Sequence, residues 1–413
     1  MKKTIFQECD KENQKAFDEA KTLISWNKYL MSALGLWPSH RYDFIFVSLF
    51  CYYIFHFLLD YAAFYFALRS FNLIKIIGVT MENVTMAQIF LRLYTMRRYN
   101  RQYGEILEEF TKDFSVKNYK SEEERNTFLS YNSRSKFFIK IVVIFLGVTA
   151  ILYFTKPLIR QLSLSKNVNT TIAFTYDLPY RIHLLYKITD IQTYIATYIS
   201  RIPILYIIGF TQTAMDCLTL TLIAHLCGQL GVLSIRISNL DVVNKSNELN
   251  EIIQRHQKLI KIGLRLRRMY RLCLLGHFLG ATIAICILVY QVLISIAAGQ
   301  KTNLVTFFVF GFLNIYRLYT HCWVGEYLIH EVMGFYMCKL CKLSFSINVS
   351  HAYYCCNWYK LPLRDQKSFI ICIKRSQQPL SLMAGNFSHY SLVMFTNVMK
   401  SAMAYLSFLR NFI

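Results

Sequence analysis

Among the ionisable residues inside apolar stretches of this chain, Asp60, Glu82, Arg201, Asp216, Arg317, Glu326 and Lys400 are the candidates for chemistry. Each costs at least about 2.5–3.5 kcal/mol at the centre of a bilayer unless paired or wetted, so such groups serve proton relays and ion pathways or answer one another between helices. Most of these are expected to form interhelical pairs or to sit near span ends, because the stretches lack the matching half-repeat of a transporter. Other reactive patterns are incomplete. His330-Glu331-Val332-Met333-Gly334 begins like a zinc-protease helix but has no second His four residues on, so a two-imidazole face cannot form. Cys338-x2-Cys341 followed by His351 and Cys355 offers zinc donor types without zinc-finger spacing. A phosphate-cradling Gly loop and a GxSxG elbow are both missing from the sequence. The chain therefore reads as no enzyme, with no cofactor and no metal.

What must position the charged residues is a set of seven long apolar stretches, at about 44–68, 71–91, 137–155, 190–230, 272–297, 304–329 and 380–409, where a bilayer core needs about 20 apolar helical residues. Of the 46 Lys and Arg, 34 lie in the N-terminal segment and in the gaps at 92–140, 231–271 and 330–379. Short cytoplasmic segments carry the basic excess, so the N-terminus is expected in the cytosol and the C-terminus outside, opposite to a G-protein-coupled receptor. The net charge of +22 in a chain that is 54% hydrophobic is sorted by loop parity rather than gathered on one face. That pattern excludes a nucleic-acid binder and fits insertion beside anionic membrane lipid.

Cysteines and sequons agree with this orientation. The outward gaps 156–189 and 298–303 hold no cysteine, whereas Cys338, Cys341, Cys355, Cys356 and Cys372 cluster in an inward gap where a reducing cytosol keeps thiols free. Asn169-Thr170-Thr171 lies in the long outward gap and is a glycosylation candidate; Asn348-Val349-Ser350 is expected bare. Residues 1–41 are charged and mixed, so no cleavable signal is expected and the first span acts as its own targeting signal. Residues 92–136 and 245–271 read as cytosolic helices: Leu249, Ile252, Ile253, His256, Leu259, Ile260 and Gly263 recur at helical spacing. The expected fold is an all-α membrane protein, one domain over 1–413, whose seven transmembrane helices extend into a cytosolic anchor region.

The last stretch is the most specific. It runs Arg375-Ser376-Gln377-Gln378-Pro379-Leu380-Ser381-Leu382-Met383-Ala384-Gly385-Asn386-Phe387, then Ser391-Leu392, Phe395, Val398 and Lys400, and closes with Tyr405-Leu406-Ser407-Phe408-Leu409-Arg410. This resembles the C-terminal signature of the insect odorant receptors: R-x-Q-x-P-L, L-x-A-G, S-L-x-x-F, and a V-x-K run ending in Y-x-x-x-L-R. Met383 stands where the family often has Thr, and Met403-Ala404 replaces a frequent Tyr-Ser pair. The related gustatory receptors usually end in T-Y-x-x-x-x-x-Q-F, which is missing here; a gustatory-type channel is the runner-up, ahead of a transporter or a G-protein-type receptor.

The resemblance implies an odorant-gated, non-selective cation channel in the plasma membrane of olfactory sensory neurons. It would be a heterotetramer with the odorant receptor co-receptor, each subunit giving its last helix to a central pore. Ser401, Tyr405, Phe408 and Phe412 share one helical face, and four copies of the two phenylalanines would form a constriction that gates by dewetting; packing against neighbouring helices would produce the same stripe. Lys400 and Arg410 are expected to point away from the narrowest part or to pair with carboxylates. For a small, volatile, apolar ligand the resemblance implies a pocket among the outward halves of the helices, assigned here to Ile77, Thr80 and Met81, to Gly147, Ala150 and Phe154, to Tyr194, Tyr198 and Ile202, and to Phe308 and Phe312. Gly147 and Ala150 would open room beside Phe154, and the tyrosines would orient a polar head group.

Overall fold

A helix that is apolar all round must be enclosed on every side, and the centre of the molecule is such a helix. In a computed structural model that describes residues 2–37, 43–166, 178–179, 183–240, 246–297, 301–333, 349–378 and 380–410, every residue from Thr211 to Ile235 is buried. That run belongs to α7 (Ile202–Ser238). The other helices are α1 (Lys2–Ala33), α2 (Asp43–Arg69), α3 (Leu73–Arg98), α4 (Asn100–Thr111), α5 (Glu122–Lys166), α6 (Ile191–Ile199), α8 (Ser246–Ala297), α9 (Lys301–Met333), α10 (Val349–Cys355), α11 (Leu363–Ser376) and α12 (Leu392–Arg410). Helices α1, α2, α3, α5, α8, α9 and α10 all pack against α7.

Among the described residues four stretches are long and apolar enough to cross a membrane: Asp43–Arg69, Glu122–Ile159, Ile191–Ser238 and Glu248–Ile296. The first two leave most of their apolar surface uncovered, with Phe55, Leu58 and Tyr61 on α2 and Ile144, Val148 and Ile151 on α5 all exposed, as expected of helices facing lipid. At 71–91 and 304–329 stand α3 and α9, whose apolar runs are interrupted by Glu82 and Arg92 and by Arg317 and Glu326. The helical readings of 92–136 and 245–271 correspond to α4 with the start of α5, and to the first half of α8.

Two expected spans are not continuous helices. The stretch 190–230 breaks at Ser200 and Arg201 between α6 and α7, and Pro203 occupies the first turn of α7, a position that needs no backbone N–H. The stretch 380–409 is helical only from Leu392. Before it, Met383–Ala384 (β1) pairs antiparallel with Ser388–His389 (β2) in the register Met383↔His389 and Ala384↔Ser388. Gly385 makes the turn at φ +61°, a left-handed backbone that glycine adopts without strain, and its N–H donates to the Arg271 carbonyl of α8 at 3.0 Å. The Ala-Gly-Asn-Phe signature is thus a hairpin seated on α8. Its exit starts α12: Glu326 Oε2 accepts from Leu392 N at 3.1 Å, and Ser391 Oγ accepts from Met394 N at 3.2 Å. A carboxylate at that end offsets the unpaired amides and the positive pole of the helix dipole.

Candidate functional site

Two polar regions lie within the bundle. The first is at the crossing of α3, α7 and α9, where Asp216 is almost fully enclosed. Arg92 Nη1 donates to Asp216 Oδ1 at 2.8 Å, and Arg317 Nε donates to Oδ2 at 2.7 Å. Arg317 Nη1 also reaches Gln212 Oε1 at 3.0 Å, and Arg92 Nη1 the Gln212 carbonyl at 3.2 Å. His321 Nε2 stands 3.6 Å from Asp216 Oδ1, and its ring lies 4.7 Å from that of His277 on α8. His277 Nδ1 meets the Tyr390 hydroxyl at 3.3 Å, and that hydroxyl donates to the Leu274 carbonyl at 2.9 Å. One carboxylate thus joins α3, α7 and α9, and the histidines carry the network on to α8 and to the hairpin.

Sequence reasoning flagged Asp216 and Arg317 but counted Arg92 with an inward gap, and it passed over Gln212, His277, His321 and Tyr390. The available signal was spacing: Gln212 and Asp216, and Arg317 and His321, stand four apart and so share a helix face.

The second region joins α2, α3, α5 and α6. Tyr153 on α5 donates its hydroxyl to Glu82 Oε1 of α3 at 2.7 Å. Next to Glu82, Asn83 Nδ2 donates to the Asp60 carbonyl of α2 at 3.2 Å. Next to Tyr153 in sequence, the Phe154 ring is 4.8 Å from that of Tyr198, whose hydroxyl donates to the Phe154 carbonyl, and the Tyr194 ring lies tilted 5.8 Å from that of Tyr198. At the α6–α7 break Tyr52 of α2 donates to the Ser200 carbonyl, and Arg201 Nη1 meets His56 Nδ1 at 2.8 Å.

Of the expected pocket residues, the structure gathers Phe154, Tyr194 and Tyr198 in this second region. Ile77, Thr80 and Met81 are half-buried on α3 around Glu82, and Gly147 and Ala150 are half-buried on α5 below Tyr153. A methyl group placed on Gly147 would meet no atom within 4 Å, so the helix borders open space there. Ile202, Phe308 and Phe312 are exposed, and the Phe312 ring lies tilted 4.7 Å from that of Phe145.

On α12, Met394, Val398 and Ala402 are buried where this helix packs on α8 and α9. The opposite face carries Thr396, Asn397, Lys400 and Ser401, all exposed. Tyr405 and Phe408 lie on the same helix. Phe412, Asn169, Asn348, Cys338 and Cys341 lie outside the described residues.

Where the end of α4 faces α7 and α8, Arg255 Nη2 donates to Asp113 Oδ2 at 2.9 Å, and His225 Nε2 stands 3.1 Å from the same oxygen. Burial raises the Asp113 carboxyl, but His225 and Arg255 more than offset this and hold it below the usual carboxylate range. Farther along, His256 accepts or shares a proton with the Tyr353 hydroxyl at 3.2 Å. Burial, aided by Arg375, pushes its imidazole down to about 4. Among the described residues no three His, Cys, Asp or Glu side chains converge as a metal site.

Fold and site together define an all-helical, multi-pass membrane protein with a signature hairpin before its last helix. Residues 72–403 match the family model described as 7tm odorant receptor, and the chain belongs to that family. It is similar to odorant receptor 13a of Drosophila melanogaster, at 23% identity over 78% of this chain and 76% of that protein. It is also similar to the odorant receptor coreceptor of the same fly, at 26% identity over 37% of this chain and 28% of that protein. The structure of the insect olfactory receptor OR5 from Machilis hrabei in complex with eugenol has the same fold: TM-score 0.76 at 13% identity, covering 96% of this chain and all of that one.

Proposed function

We propose that this chain is the odorant-specific subunit of a ligand-gated, non-selective cation channel, assembled as a heterotetramer with the odorant receptor co-receptor. The observation that carries the reading is the two-sidedness of α12: an apolar face packs on α8 and α9, while Thr396, Asn397, Lys400 and Ser401 stay exposed. An apolar membrane helix with a polar outer face needs either a partner subunit or water beside it. Four such helices around an axis supply both, with Phe408 and Phe412 forming the constriction and Ser401 and Tyr405 on the same pore-facing side. In this reading the protein crosses the membrane seven times, with its N-terminus cytosolic and Asn169 glycosylated, in the plasma membrane of olfactory sensory neurons.

The ligand sits where α2, α3, α5 and α6 meet, among Met81, Ala150, Phe154, Tyr194 and Tyr198, the remaining expected pocket residues forming its margin. It opens the pore only to the extent that it binds the open state more tightly than the closed one. That a bound molecule, eugenol, is named for OR5 supports a small-molecule site in this fold. Whole-cell recording tests the channel: a fast inward cation current, independent of G-protein signalling and present only when the chain is co-expressed with the co-receptor, is expected. Surface expression without current across a broad odorant panel would count against it. Ala150→Trp is expected to weaken ligand responses without loss of surface assembly, and unchanged dose–response curves would move the pocket elsewhere.

A further inference from the structure

Between Lys258 and Arg271, α8 carries six basic residues and no acid. Two of them are answered from α4: Lys258 Nζ stands 2.6 Å from Glu109 Oε1, and Arg265 Nη1 3.7 Å from Glu105 Oε2. Arg267, Arg268 and Arg271 have no carboxylate partner among the described residues. Arg267 Nη2 donates to the Met383 sulfur, a weak acceptor, and Arg271 Nη1 donates to Asn386 Oδ1 at 3.2 Å. Arg268 is exposed. Steps of three and four along a helix make these side chains neighbours. Uncompensated positive charge therefore gathers beside the β1–β2 hairpin.

What adjoins this charge specifies what covers it. One turn beyond Arg268 the exposed face of α8 becomes apolar, with Leu272, Leu279 and Ile283 uncovered, so the arginines stand where a helix facing lipid leaves the hydrocarbon. Phe387, next to Asn386 at the hairpin tip, is 85% exposed, and aromatic rings of this kind sit at the headgroup level of a bilayer. A soluble anion would meet the charge and leave the apolar surface bare; a lipid covers both. Three guanidinium groups, each able to fork onto two phosphate oxygens, exceed the charge of a single phosphodiester. We infer that Arg267, Arg268 and Arg271, with Asn386, bind the polyphosphorylated headgroup of an anionic lipid in the cytosolic leaflet, its acyl chains lying along Leu272 and Leu279. The same residues hold the hairpin from which α12 starts, so the lipid steadies that hairpin. The choice of leaflet rests on the orientation given under Proposed function.

The test is native mass spectrometry of the purified full chain in detergent micelles, offered short-chain phosphatidylinositol bisphosphate and phosphatidylcholine of the same chain length at equal concentration. The first is expected to bind at least about twentyfold more tightly. Each arginine lost at such a surface weakens binding about fivefold, so Arg268→Gln combined with Arg271→Gln is expected to remove nearly all of that preference. Lys258→Gln combined with Arg265→Gln takes the same charge from positions already paired and is expected to cost under about threefold. Equal binding of the two lipids to the wild-type chain overturns the inference. So do equal losses in the two double variants, which would make total charge the cause. Should the Arg268/Arg271 variant melt lower than wild type, Arg268→Gln alone decides, because that side chain has no partner among the described residues. Soluble inositol trisphosphate competing at the lipid's own affinity would assign the site to a free phosphate and overturn the membrane reading. Glycan mapping reads the orientation separately. Glycan at Asn169 with no lipid preference retires the site alone; glycan at Asn348 with the preference intact retires the orientation and the cytosolic leaflet and keeps the site.

Discussion

Asp216 and Asp60 are both almost fully enclosed carboxylates inside the bundle, yet their surroundings are opposite. Asp216 is met by two guanidinium groups at 2.7 and 2.8 Å; Asp60 keeps one carboxylate oxygen without a hydrogen-bond partner. The first arrangement fixes how three helices cross, because neither arginine can leave without stranding a charge. The second leaves an interaction unmade within the fold. Two buried carboxylates that composition alone would place in the same class thus have different surroundings.

The largest way to break this comparison is Asp216→Leu, which strands Arg92 and Arg317. Removing one partner of a buried ionic group costs about 3–5 kcal/mol, so the variant is expected to be lost from the cell surface, as measured by surface labelling and melting of the purified protein. Asp60→Asn, in contrast, should melt at or above the wild-type temperature, since it removes an unpaired acid. If both variants melt alike, the distinction fails.

Gly325→Ala comes next. An added Cβ on α9 would stand 2.3 Å from the Tyr390 carbonyl, a backbone atom that cannot swing aside, and overpacking of this sort costs about 1–3 kcal/mol. A lowered melting temperature is expected, with loss of function even where the protein reaches the surface. Tyr153→Phe deletes one hydroxyl from the acid cluster and costs about 1 kcal/mol. It should appear as a several-fold shift in ligand affinity with little change in melting.

The smallest effect near neutral pH belongs to His256, in the part of α8 that precedes the apolar run expected at 272–297. Its folded pKa of about 4 lies below the unfolded 6.5, so the unfolded chain takes up the proton first. Stability is full above pH 6.5 and is lost as pH falls toward 4. At pH 6 the loss is still under about 1 kcal/mol, and His256→Gln should flatten the melting curve between pH 6.5 and 4.

Much of the architecture was legible in the sequence because apolar run length is a strong signal. The stretch expected at 44–68 is α2, Asp43–Arg69, and the helical spacing at Leu249, Ile252 and His256 is the buried side of α8. The expectation that intramembrane charges pair between helices holds for Asp216 with Arg317, while Glu326 is used to start α12. What could not be read was which residues meet. Arg92 and Asp216 are 124 positions apart, and a loop count treats Arg92 as a topological marker when it is a buried partner. The hairpin at 380–391 was hidden for another reason: Leu380, Leu382, Met383 and Ala384 are apolar enough to extend a span, and only the positive φ at Gly385 reveals that the chain turns. In the candidate pocket, Phe154 and Tyr198 were assigned from the family resemblance, while Asp60 and Glu82 were expected to pair between helices or to sit near span ends.

The mooring of α12 has a mechanical consequence. Its first turn is tied to α9 through Glu326, and the hairpin before it is tied to α8 through the Arg271 and Leu274 carbonyls. A rod of 19 residues, about 28 Å long at 1.5 Å per residue, that is moored at its first turn and packed on α8 and α9 as far as Ala402 can swing but not slide. A tilt of roughly 5° then carries the free tip through about 2.5 Å while the pinned end stays put. The amplitude of any rearrangement therefore grows along the helix, from nothing at Leu392 to its greatest value where the chain ends.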